Sequence, residues 1–127
     1  MKKPSPELTR EMIEEARRLW LETDAYPIEE PKEKRRKEGL EESQVRNLCK
    51  VAESANCLEE LELYIRYQTA RHNKEKDGWV KAGFYERLIA ILRKLHEKGS
   101  MDAVRLFCGY LARWHKAATK GLLEGEE

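Results

Sequence analysis

SMDAVRLFCGYLARWHKAATKG, residues 100–121, decides the fold class of this chain. Ser100 is placed to cap a helix, and Asp102 falls in the first turn, where the helix dipole favours negative charge. Lys116 and Lys120 stand near the other end, with Gly121 at the position just past the cap. A rotation of about 100° per residue collects Val104, Phe107, Cys108, Leu111, Trp114 and Ala118 on one broad face. The same rotation gathers Arg105, Arg113, Lys116 and Lys120 into a stripe about 80° wide. His115 borders that stripe, and no acidic residue is expected to share it. One side of the helix suits a core and the other presents unneutralised positive charge. A charged stripe is ordinarily solvated surface; anion binding is the sharper reading.

The helix expected immediately before it, residues 82–97, reads AGFYERLIAILRKLHE. Phe84, Leu88, Ile91, Leu92 and Leu95 give its inner face, and Lys98–Gly99 ends it. The next helix follows at once, so the two are expected to pack antiparallel. Further back, SQVRNLCKVAESAN is a helix from about Ser43 carrying Val45, Leu48, Cys49, Val51, Ala52 and Ala55. Arg46 and Lys50 project from another side at i,i+4. Asn56 is expected to stop this helix and cap the following one, CLEELELYIRYQTARHNKEKDG. Leu58, Leu61, Ile65 and Gln68 form the inner seam of that helix. Its first turns are acidic and its last carry Arg66, Arg71, His72 and Lys74, matching the macrodipole. The short connection makes these two helices an antiparallel hairpin.

The N-terminal stretch starts a helix at Pro6, with Leu8, Met12, Ala16, Leu19 and Trp20 at helical spacing. Glu11, Glu14 and Glu15 precede Arg17 and Arg18 at ion-pair spacing. Between this helix and the next, Pro27 and Pro31 break the pattern, and residues 32–38 hold five basic and two acidic residues. Residues 24–40 are therefore expected as a flexible, solvated, charged linker able to touch phosphate. Nowhere is there period-two alternation bounded by turn residues. The expectation is one all-α domain over residues 1–127, a small helical bundle of about five helices.

A chain of 127 residues buries a core without staples, and its net charge of +1 gives no global pull toward nucleic acid. Any such binding must come from a local patch. Cys49, Cys57 and Cys108 are an odd number with no paired spacing, which suits a reducing cytoplasm. No apolar run is long enough for a bilayer and no signal peptide is evident. His72, His96 and His115 are scattered, zinc spacing is missing, and there is no Gly-rich phosphate loop. No catalytic residue, metal ligand or cofactor is assigned, and the chain is not expected to be an enzyme.

Three short motifs carry a family resemblance. Ser43-Gln44-Val45-Arg46 opens one helix, Tyr67-Gln68-Thr69-Ala70-Arg71 closes the next, and Trp114-His115-Lys116 lies near the end. In this order and spacing they resemble the small helical subunit of the type III-A CRISPR–Cas effector, the Csm complex. The likeness covers about residues 40–120, and Trp114 stands where the family shows Tyr. The equivalent subunit of the type III-B Cmr complex is also small, helical and basic-patched.

The resemblance implies a non-catalytic antiviral-defence subunit that packs along the effector filament. Its partners would be CRISPR RNA, target RNA, other effector subunits and copies of itself, with no membrane. Contacts would go to phosphate and sugar, leaving sequence choice to base pairing. Arg46, Arg71, Arg113 and Lys116 lie in the matched stretches; Lys50, Arg105, His115 and Lys120 complete the RNA-contact set by their helical placement. Two other classes remain open: a protein–protein adaptor bundle, and a DNA-binding regulator built on residues 45–71. The latter departs from helix-turn-helix practice, since Ser54–Asn56 holds no glycine.

Overall fold

The computed structural model describes residues 3–28, 38–72 and 78–124, and they form an all-α fold with no strand among them. Helix α1 spans Pro6–Thr23, α2 Glu42–Ser54, α3 Leu58–Arg71 and α4 Phe84–Thr119, with a single 3-10 turn at Lys81–Gly83. Among the described residues the expected count of about five helices becomes four, because the last two are one element with a bend. The bend sits where the sequence placed the boundary, at Gly99 (φ −152°, ψ 21°) and Ser100 (φ 59°, ψ −163°). Trp20 shows how sharp it is. Its ring stacks on Phe84 at the start of α4 (5.0 Å) and lies 5.1 Å from His115 near the end. A straight helix would separate those two residues by about 46 Å. Helix α4 therefore doubles back, and its limbs, residues 84–98 and 101–119, run antiparallel.

The local signals explain the ends. Ser5 Oγ accepts from the Leu8 N–H at 3.1 Å, with Pro6 in the first turn. Glu41 and Gln44 form a reciprocal capping box on α2. Asn56 does not cap α3: Ala55 ends α2, Cys57 precedes α3, and the Asn56 N–H donates to Glu60 instead (2.8 Å). At the C-terminus of α4, Gly121 takes the left-handed conformation (φ 76°), and the Leu122 N–H reaches Ala117 O at 2.8 Å. That is a Schellman closure at the residue the sequence indicated.

Helix α1 lies along the first limb of α4 through a ladder of exposed pairs: Glu11–Lys98, Glu15–Lys94 and Glu22–Arg87. Their order makes the two antiparallel. Within α1, Arg17 pairs with Glu14 and Arg18 with Glu15, as the spacing indicated. Two indoles fix its other side: Trp20 Nε1 donates to Leu111 O and Trp114 Nε1 to Ile13 O, both at 2.9 Å. Helices α2 and α3 each rest on α4 more than on each other. Between them the four helices enclose Met12, Leu19, Trp20, Leu48, Leu61, Ile65, Leu88, Leu92, Phe107 and Leu111.

The connectors supply the rest of the core. Ala25, Tyr26 and Leu40 are buried, as is Trp79. The linker expected over residues 24–40 is thus core at both ends, and its charged middle, residues 29–37, lies outside the described residues. Leu40 N–H donates to Ala25 O at 2.9 Å. Gly39 packs on the backbone of Ala25 and Tyr26, and Gly78 on that of Leu40, so closely that a Cβ at either would overlap backbone atoms. Two glycines thereby let three chain segments meet at one end of the bundle.

Candidate nucleic-acid interface

The second limb of α4 positions the basic residues, and α2 packs beside it. Four contacts set the register. Lys116 Nζ lies 3.7 Å from Glu42, and His115 Nε2 is 2.6 Å from Leu40 O. Cys49 Sγ donates to Cys108 O at 3.1 Å. Arg105 donates to Ala52 O and Ala55 O at 3.0 and 3.1 Å. Residue numbers rise on α2 as they fall on the limb, so the two are antiparallel.

This arrangement sorts the eight candidates. Arg113 and Lys116 are exposed on the limb, and Arg113 holds its guanidinium 5.6 Å from the Tyr110 ring. Arg46 and Lys50 are exposed on α2. A rotation of about 100° per residue puts Arg46 on the flank of α2 that carries Glu42, Cys49 and Glu53. Arg113 lies one turn before Lys116 on the exposed side of the limb, and its charge opposes the rise of the Cys49 thiol. Arg46, Arg113 and Lys116 therefore line one seam, with Lys50 beside it. None of Arg46, Lys50, Arg71 and Arg113 has an ion-pair partner among the described residues. Lys120 is exposed at the end of the limb and has a partner of its own.

Three candidates stand differently from the expectation. His115 is buried, only 1% exposed, and its ring faces Leu40 and Trp20, so it cannot reach RNA. Burial pushes its pKa down, opposed by the Leu40 carbonyl and by Glu42 and Glu41. Arg105 caps the end of α2 by satisfying two carbonyls left without intrahelical donors, and lies 3.5 Å from Asp102. Asp102 thus shares the stripe, contrary to the expectation that no acidic residue does. Arg71 sits at the end of α3, over the Tyr67 ring at 5.6 Å. Helix α3 is seated on the first limb by Glu62, which takes two hydrogen bonds from Arg93 (2.7 and 2.9 Å). Those bonds hold the Glu62 carboxyl below the usual carboxylate range against its burial. Arg93 is thus the ion-pair partner of this buried glutamate.

Burial first, and neighbouring charge second, push the Cys49 and Cys108 thiols up, away from thiolate. Among the described residues, no group of three His, Cys, Asp or Glu side chains is placed to hold a metal, and no helix is long and apolar enough to cross a membrane. Comparison of the chain with protein-family models, curated proteins and solved structures finds no match.

Proposed function

We propose that this chain is a non-catalytic RNA-binding subunit of a type III CRISPR effector, contacting the backbone of guide and target RNA without sequence preference. The observation that carries the reading is the seam between α2 and the second limb, where Arg46, Arg113 and Lys116 stand exposed with Lys50 beside them. Two of the three matched motifs supply residues to that seam. Glu42, 3.7 Å from Lys116, and Glu53 share the seam, but its four cations outnumber these two acids, and the surplus neutralises phosphates locally. Arg113 over Tyr110 adds a planar surface on which a base can stack. The type III-A assignment over III-B rests on the sequence motifs alone. The adaptor alternative draws support from Leu63 and Tyr67, two large apolar side chains exposed on α3.

Titration of fluorescent single-stranded and guide-paired RNA against the isolated protein tests the reading. Binding should be weak, indifferent to sequence, and steeply weakened between about 50 and 200 mM salt. Arg113→Ala and Lys116→Ala should each lower affinity and shallow the salt slope, with stability changed by less than about 0.5 kcal/mol. Arg105→Ala should instead cost about 1–2 kcal/mol, because it strips two carbonyls of a charged donor at a half-buried site. RNA affinity unchanged in an Arg46, Lys50, Arg113 and Lys116 quadruple alanine variant would remove the seam from the function.

A further inference from the structure

Helix α3 presents an apolar pair to solvent. Leu63 and Tyr67 are 67% and 56% exposed and lie one turn apart on the same face. At about 100° per residue, Glu59 and Arg66 flank this pair on one side, and Glu60 and Arg71 flank it on the other. All four flanking charges are exposed. Each flank therefore carries one acid toward the start of the helix and one base toward its end.

We propose that α3 pairs antiparallel with α3 of a second copy of this chain, across a two-fold axis at the level of Ile65. Leu63 of each copy then meets Tyr67 of the other, and Glu60 of each meets Arg71 of the other. The register follows from the numbering. Positions 63 and 67 are centred on 65, and positions 60 and 71 half a residue further; the two-fold doubles that offset to one residue, a mismatch of about 1.5 Å along the helix, well within the reach of an arginine side chain. One axis therefore satisfies both pairs. A two-fold lying across the helices in the contact plane sets each flank against the same flank of the other copy. Because Glu60 and Arg71 share a flank, their charges meet as opposites, and no like charges are forced together on the Glu59–Arg66 side.

Details of α3 fit this pairing. One Glu60 oxygen accepts from the Asn56 N–H at 2.8 Å, which leaves the other for a guanidinium. Arg71 already lies over its own Tyr67 ring, at the edge of the apolar pair. Glu59 and Glu60 at one end oppose nucleic acid on this face. The helix is 14 residues long, about 21 Å, so the contact falls in the small class of transient interfaces, below about 1,200 Å². The dimer is accordingly weak, and the seam on α2 and the second limb stays open in it.

Sedimentation equilibrium of the full chain from about 1 µM to about 1 mM tests this, since a contact of that size titrates there. The mass should climb from monomer toward dimer. Glu60→Arg and Arg71→Glu should each stay monomeric across the range, while their equimolar mixture should regain the dimer, because both cross-pairs are again opposite in sign. Leu63→Lys should be monomeric alone and in either mixture. Thermal melts establish that each variant is folded. Glu60→Arg also loses the Asn56 contact, but that loss cannot produce recovery on mixing. A chain monomeric throughout, a dimer indifferent to both charge reversals, or a mixture that stays monomeric would each overturn the proposal.

Discussion

The Leu40 carbonyl can only accept, so the 2.6 Å contact puts a proton on His115 Nε2. Burial disfavours the charged form, which leaves the folded pKa below the usual 6.5 despite Glu41 and Glu42 nearby. The unfolded chain then binds a proton more readily than the folded one. The stability that the neutral ring contributes is complete above about pH 6.5 and is lost as pH falls through the folded pKa. Glu62 and Glu11 are lowered carboxylates, so their contributions fade only below about pH 4.5, in a separate window. Urea unfolding of the wild-type chain should show stability falling between about pH 7 and pH 5, and His115→Gln should flatten that slope. An equal slope in His115→Gln would place the sensitivity elsewhere. The buried position was legible: rotation puts residue 115 between Val104 and Cys108, inside the core arc. Its charged neighbours in sequence pointed the other way. The capping role of Arg105 had no such sign, since its acceptors are carbonyls of a helix some 50 residues earlier.

At the scale of the element, the bend in α4 places strain on one residue. Ser100 adopts φ 59°, ψ −163°, a region populated essentially by glycine. Such a conformation costs about 1–3 kcal/mol and persists because the limbs on either side are packed. Ser100→Gly should therefore stabilise the protein by about 1 kcal/mol after the added freedom of the unfolded chain is counted, while Ser100→Ala should not. Denaturant midpoints of the two variants check this; a glycine variant no more stable than the alanine one would mean the bend is unstrained. Helix boundaries came through in sequence because caps and apolar periodicity are local. Pro6, the Lys98–Gly99 break and Gly121 all mark real transitions. Asn56 misled because a competent cap residue is only a candidate. The chain placed Glu60 against its N–H and began the helix one residue further on.

Across the whole molecule, the least legible part was the closed end of the bundle, because no period runs through connectors. Trp79, Leu40 and Tyr26 are core residues drawn from three separate short segments. Leu40 follows a charged run, which disguised it. What joins these segments is the approach of backbones at Gly39 and Gly78, and the same end carries the Leu40 carbonyl that receives His115. Leu40 leads directly into α2, so this end also sets where α2 begins against the second limb. A methyl group at residue 39 would overlap the Tyr26 backbone, and one at 78 would overlap that of Leu40. Backbone atoms cannot yield as a flexible side chain does. Gly39→Ala and Gly78→Ala should each cost about 2–3 kcal/mol, the upper end for overpacking. Together they should cost less than their sum, since the first displacement of residues 38–40 makes room for the second. Displacement there should also wet Trp79 and Trp20, shifting native-state tryptophan emission to the red. Because Arg46 depends on the seating of α2, folded Gly39→Ala protein should bind RNA more weakly than wild type at equal salt. A loss of under about 0.5 kcal/mol with unshifted emission would show that the connectors have room there.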